Sequence, residues 1–221
     1  PNHRSCIAFC KVCSGKFVRN QPYLHVRQGK TVRFSSPTQF MAQRKNTVEE
    51  AYPGDIVGLP DNGIFKIGDT LTEGEILHFR GLPSFSPLLF KYIENDDPMK
   101  SKQFQKGIEQ LMDEGVAQLF VNQFNNRRVV GTVGQLQFEV IQYRLEHEYN
   151  AKCRWEPVHL HKACWVESDD AAELDSFKKR KYQYMAKDTE GRDVFLADSG
   201  YVLTMAQQDF KNIKFHFTSE F

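Results

Sequence analysis

Three sets of residues in this sequence have types and spacings that could do chemistry. Ser14-Gly15-Lys16 carries the centre of a phosphate loop, where backbone N–H groups and a lysine cradle phosphates. That loop needs G-x-x-x-x-G-K-[ST], and here both the first glycine and the final hydroxyl residue are missing, so the string reads as a hairpin turn. Cys10 and Cys13 form a C-x-x-C, but no second pair completes a zinc ribbon. On a strand, residues three apart point to opposite faces, so the two sulfurs are read as ordinary half-buried thiols of a reducing compartment. His159 and His161 would share a strand face near Cys164, without the further carboxylate or cysteine a metal needs. No nucleophile–base set, paired catalytic carboxylates or cofactor loop emerges, so the chain is not read as an enzyme and no cofactor is expected on it.

What remains is binding chemistry. Lys and Arg number 29 against 28 Asp and Glu, a net charge of +1, so global charge gives no support to a nucleic-acid partner. Any such contact must come from bases segregated in loops. The candidates are Lys16 and Arg19 in the hairpin after Cys13, Arg27, Lys30 and Arg33 around the next turn, and Arg44 and Lys45 in the following loop. In the second half, Arg127 and Arg128 sit at a turn, and Lys178, Lys179, Arg180 and Lys181 run around a helix end. Each also has an ordinary reading as a solvated face, and the helix-end group as a favourable charge at a helix C-terminus.

The elements that must position these residues change character along the chain. Strand-like segments at 6–12, 23–26, 31–34, 48–51, 56–59 and 64–67 are punctuated by Gly and Pro, and no long helix is expected before residue 97. That pattern predicts a closed antiparallel β-barrel. Two prolines and two serines in 81–87 mark a boundary, giving a barrel domain over 1–84 and a second domain over 85–221. In the second, Asp97-Pro98 starts a helix that carries Phe104, Ile108, Leu111 and Met112 on one stripe and stops at Gly115. Strands at 116–121, 128–133, 151–155, 163–167, 194–197 and 213–217 alternate with further helices, capped by Asp170 and Ser199 among others. The interleaving predicts an α/β (α+β sandwich) domain with helices on one face of a sheet. The helix over 136–149 carries two stripes, Phe138/Ile141/Leu145 and Leu136/Val140/Tyr143. It is expected to be buried on both sides, by its own domain or by another.

No apolar run is long enough to span a membrane. The chain opens on Pro1 with no signal-like segment, and is expected to be a piece of a longer protein.

Several strings together resemble the translational GTPase family. Val12-Cys13-Ser14-Gly15-Lys16-Phe17, the run 48–59 (VEEAYPGDIVGL) and Ile67-Gly68-Asp69-Thr70-Leu71 are similar, in order and spacing, to the second-domain barrel of that family. Gln21-Pro22 stands where the family has a glycine. The run 133–140 (VGQLQFEV), Arg144-Leu145, Glu148-Tyr149-Asn150, the run 85–90 (FSPLLF) and Cys164-Trp165-Val166-Glu167 look like the C-terminal domain of the peptide chain release factor 3 family. The resemblance covers essentially the whole chain. It implies the ribosome-docking, non-nucleotide-binding part of a cytoplasmic, monomeric termination GTPase that promotes release of the codon-reading release factors. GTP or GDP with magnesium would belong to a separate GTPase domain. The implied partners are small-subunit RNA and ribosomal protein, that GTPase domain and, indirectly, the release factors. The corresponding module of another translation factor, such as elongation factor G, is the alternative.

Overall fold

The computed structural model describes residues 6–41, 44–77, 79 and 86–218. The chain divides into two compact units, Pro1–Gly81 and Leu82–Phe221. The boundary expected at residue 84 lies in the stretch 80–85, outside the described residues.

The first unit is an antiparallel β-barrel. Its strands are β1 (Cys6–Lys11), β2 (Phe17–Val18), β3 (Tyr23–His25), β4 (Lys30–Val32), β5 (Thr38–Met41), β6 (Arg44–Thr47), β7 (Glu50–Ala51), β8 (Ile56–Asp61) and β9 (Leu71–Thr72). They form three small sheets, ordered β1-β8-β5-β6, β2-β7 and β4-β3-β9. All enclose one core of Val12, Phe17, Tyr23, Phe34, Val48, Ala51, Val57 and Leu59. A chain of rings runs through it: Phe17 stacks on Tyr23 at 5.3 Å, Phe34 meets Phe65 at 6.0 Å, and Phe65 meets His25 at 4.8 Å. The turn between β2 and β3 contains no glycine, and Asn20 takes the left-handed backbone instead, at φ 63. Asparagine tolerates that region better than other side chains, so the chain turns here without a glycine, leading β2 to pair with β7 and β3 with β4 and β9.

The second unit is built from β10 (Leu89–Asn95), α1 (Ser101–Asp113), β11 (Gln118–Asn122), β12 (Arg128–Thr132), α2 (Leu136–Tyr149), β13 (Cys153–Pro157), β14 (Lys162–Glu167), α3 (Ala171–Arg180), β15 (Met185–Lys187), β16 (Asp193–Ala197), α4 (Gly200–Asp209) and β17 (Lys214–His216). Local signals set the helix starts. Asp97 accepts from Met99 N ahead of Pro98 and α1, Asp170 from Ala172 N and Glu173 N, and Ser199 from Val202 N. Glu173 does not complete a capping box, because its carboxylate accepts from Asn212 Nδ2.

This order is a βαββαβ unit stated twice, β10 to β13 and β14 to β17. The eight strands run β13-β10-β12-β11-β15-β16-β14-β17, every neighbouring pair antiparallel. Within each half the order is fourth-first-third-second, and the halves meet second strand to second strand. The join is short: only Val121 with Lys187 and Asn122 with Ala186.

The sheet bends sharply at that join. Phe120 on β11 and Trp165 on β14 lie three strands apart, about 14 Å in a flat sheet. Their ring centroids are 6.1 Å apart. One pleat of both halves forms a single core containing Phe90, Phe120, Val129, Trp165, Val194 and Leu196. The other pleats carry α1 and α2 on one side and α3 and α4 on the other. Helices do lie on one face of the sheet, as expected. The opposite face is closed on itself, giving helix, sheet, sheet, helix. Close approach fixes two glycines: a Cβ on Gly107 would sit 2.7 Å from Leu145 Cδ2, and one on Gly131 would sit 2.4 Å from Pro87 Cγ.

That layering corrects the expectation for α2. Phe138, Ile141 and Leu145 are buried, but Leu136, Val140 and Tyr143 are 71%, 46% and 62% exposed. The two half-sheets cover one another, so an outer helix has a sheet on one side only. Tyr143 stacks on its own neighbour His147, at 4.0 Å between centroids. Leu145→Ala is therefore expected to destabilise the unit by about 2–5 kcal/mol. Leu136→Ala is expected to stay within about 0.5 kcal/mol. Urea unfolding followed by circular dichroism checks both, and a large loss at Leu136 would mean that its side is covered after all.

Candidate nucleic-acid interface

The segment after Cys13 is not the local hairpin expected, since β1 pairs with β8 and β2 with β7, and it holds Lys16 and Arg19 against carboxylates. Strand β2 pairs with β7, Val18 opposite Glu50, and Arg19 N donates to Glu49 O at 2.9 Å. Lys16 Nζ then lies 2.8 Å from Glu50 Oε1, and Arg19 Nη1 lies 2.6 Å from Glu49 Oε1. Glu50 also accepts from Tyr52 Oη at 2.8 Å. Donation from Lys16 and then Tyr52 holds the Glu50 carboxyl below its usual range. Two bases read as free are thus paired by their own barrel.

Arg27 is likewise engaged. Its Nε and Nη2 donate to the two oxygens of Asp69, at 2.5 and 2.7 Å, and Nη2 also reaches Ile64 O. Lys30, the first residue of β4, and Arg33, just after it, are exposed and make no ion pair among the described residues. Arg44 and Lys45 are not in a loop as expected but open β6, paired with β5, and their side chains lie outside the described residues.

In the second unit Arg127, just before β12, and Arg128, its first residue, point different ways. Arg127 stacks on Tyr92 at 3.7 Å and donates to Glu94 and Glu156. Arg128 lies on the α1 side and, among the described residues, has no carboxylate partner, donating instead to the neutral Gln105 Oε1 at 2.5 Å. Of the helix-end group, Lys178 pairs with Asp193, Lys179 with Asp175, and Lys181 approaches Asp209 at 4.0 Å. Arg180 lies over the Phe210 ring.

Sequence reasoning missed two things. It did not seat Glu49 and Glu50 opposite Arg19 and Lys16, a juxtaposition made by a strand pair about 30 residues apart in the chain. It also passed over Lys102 and Lys106, which line a cleft with Arg128. Their spacing of four on a helix was the available signal.

The thiols and imidazoles assemble no centre. Cys13 is exposed and follows β1, and Cys10 is partly buried. His159 and His161 lie exposed in the connection before β14 and not on a strand. Cys164 is buried within the sheet, where burial pushes its thiol up to about 12. No group of three or more metal-ligating side chains occurs among the described residues. No helix among the described residues is long and apolar enough to cross a membrane.

Comparison with known proteins matches both units. The family model for elongation factor G domain 2 matches residues 1–74. The model for the C-terminal domain of class II release factor RF3 matches residues 79–207. A solved structure from Thermus thermophilus shares the fold, with a TM-score of 0.58 at 17% sequence identity over 75% of this chain. The chain spans only 26% of that relative's length. A translation-factor barrel followed by a release-factor domain that fills more than half of the sequence settles the assignment: the chain belongs to the class II release factor RF3 family, of whose members it carries the C-terminal domain.

Proposed function

We propose that this chain is the ribosome-docking C-terminal region of a translation-termination GTPase, which promotes release and recycling of the codon-reading release factors after peptide release. The observation that carries the reading is the order of the two matches, barrel at 1–74 and release-factor domain at 79–207. Elongation factor G shares the barrel, but the match beyond residue 79 favours the termination role. In this reading the chain acts in the cytoplasm as a monomer. It contacts small-subunit RNA and ribosomal protein, and works with its own GTPase domain.

Its part is contact and not catalysis. GTP and magnesium do not fit the residues present. The only Ser-Gly-Lys turn has Gly15 at φ 68 and its lysine committed to Glu50, and strand β2 follows it where a phosphate loop needs a helix. No nucleotide step is therefore assigned to any residue here.

Co-sedimentation with ribosomes across a salt series tests the docking. Replacing Lys30 and Arg33 with Ala is expected to flatten the salt dependence of binding by about 0.7–0.9 in log–log slope per lost phosphate contact. The same change at Lys16 and Arg19 is expected to do less, since those cations already have carboxylate partners. A wild-type chain that does not sediment with ribosomes at low salt would overturn the reading. So would a full-length factor that leaves release-factor dissociation unaccelerated.

A further inference from the structure

Many cations of this molecule are paired with carboxylates of its own fold: Lys16, Arg19, Arg27, Arg127, Arg144, Arg154 and Lys178 among them. One concave place breaks that pattern. A cleft of about 470 Å³ opens beside the first turns of α1, walled by Asn95, Ser101, Lys102, Gln105, Lys106 and Arg128.

Each cation is set there by a different element. Arg128 shares its pleat with buried Val130, so its guanidinium emerges on the α1 side. It lies 5.9 Å from the Phe104 ring centroid and donates to Gln105 Oε1. These contacts fix the group without discharging it. Lys102 and Lys106 stand one helical turn apart, both exposed, with no ion pair among the described residues. Glu109 is the single carboxylate on the wall, and its Oε1 accepts from Gln105 Nε2 at 2.5 Å. Asp97, just before α1, accepts from Met99 N. Three cations against one carboxylate repel one another in a concavity unless an anion enters it.

We propose that this cleft grips the phosphodiester backbone of RNA, an inference that rests on the ribosome-docking reading. Lys102 and Lys106 lie about 5–6 Å apart at Cβ along the helix. Together with Arg128 they flank an open trough, which a linear polyanion can follow past all three. A base-specific pocket is not built here: Phe104 is buried beneath Arg128 and offers no free ring face. The grip therefore reads charge and not sequence.

The test is fluorescence anisotropy of a labelled RNA strand of about 12 nucleotides, titrated with the 221-residue chain from about 50 to 200 mM salt. Lys102→Gln with Lys106→Gln is expected to weaken binding about 10-fold and to lower the log–log salt slope by about 1.4–1.8. Both residues are exposed, so the thermal midpoint should not move. Arg128→Gln should add to the loss, and Arg128→Lys should restore most of it. Unchanged affinity and slope in the double lysine variant would overturn the proposal. So would displacement of the RNA by inorganic phosphate at matched phosphate concentration, which would mark a free-phosphate site. Ribosome co-sedimentation of the same variant separates the two ideas. Wild-type-like ribosome binding with weakened oligonucleotide binding removes the cleft from the ribosome contact and leaves docking standing. Failure of the wild-type chain to bind ribosomes removes the docking reading itself.

Discussion

Phe120→Ala is expected to cost the second unit about 3–5 kcal/mol, the range for emptying a fully buried aromatic site. Phe120 is 0% exposed and sits where the two half-sheets close, its ring 6.1 Å from that of Trp165. The neighbouring backbone cannot relax into the space easily, because Pro87 and Gly131 are already in close contact beside it. The join between the halves rests on two residue pairs of β11 and β15, so the shared core has to supply what few ladder hydrogen bonds cannot. Denaturant unfolding measures the loss. A change below about 1 kcal/mol would show that each βαββαβ half holds its shape without the other.

Asp69→Ala is expected to destabilise the barrel by about 2–4 kcal/mol, discounted from the buried-pair range because Arg27 is 41% exposed. The carboxylate, 7% exposed, gathers His25 Nε2 at 2.8 Å, both Arg27 donors and Lys66 N. It therefore pins the loop before β9 to β3. With the carboxylate accepting from Nε2, His25 Nδ1 is buried and, among the described residues, without a hydrogen-bond partner, so the imidazole has no second hydrogen bond there once Asp69 is lost. Burial pushes the Asp69 carboxyl up, but donation from Arg27, Lys66 N and His25 outweighs it and holds the group below its ordinary 3.8. A depressed folded value means that this stability is complete above the unfolded value and is lost as pH falls through the folded one. The barrel should hold its midpoint down to about pH 4 and soften below it. Asp69→Asn should lower the midpoint at neutral pH and flatten that acid limb. An acid limb that is identical in both proteins would assign the pH dependence to other carboxylates.

Local patterns in the sequence carried the element types a long way. Alternation with Gly and Pro punctuation identified the barrel, and Asp97, Asp170 and Ser199 marked helix starts that their side chains do cap. These signals are readable because a cap or a strand period involves residues a few positions apart. The burial of α2 was not readable in the same way. Two apolar stripes look alike on a helical wheel, and only the stacking of the half-sheets decides that Leu145 is covered and Leu136 is not.

The candidate surface divides along the same line. By itself the sequence determined which residues are basic, that no phosphate loop is complete, and which family strings occur in which order. All of these follow from residue type and spacing. Tertiary structure decided which of those bases keep their charge available. Lys16 and Arg19 meet Glu50 and Glu49 across a pairing of distant strands, while Lys102, Lys106 and Arg128 converge on one cleft from a helix and a sheet. Electrostatic energy depends on separation in space and on the dielectric around each pair. A chain written in one dimension fixes neither until its strands have paired.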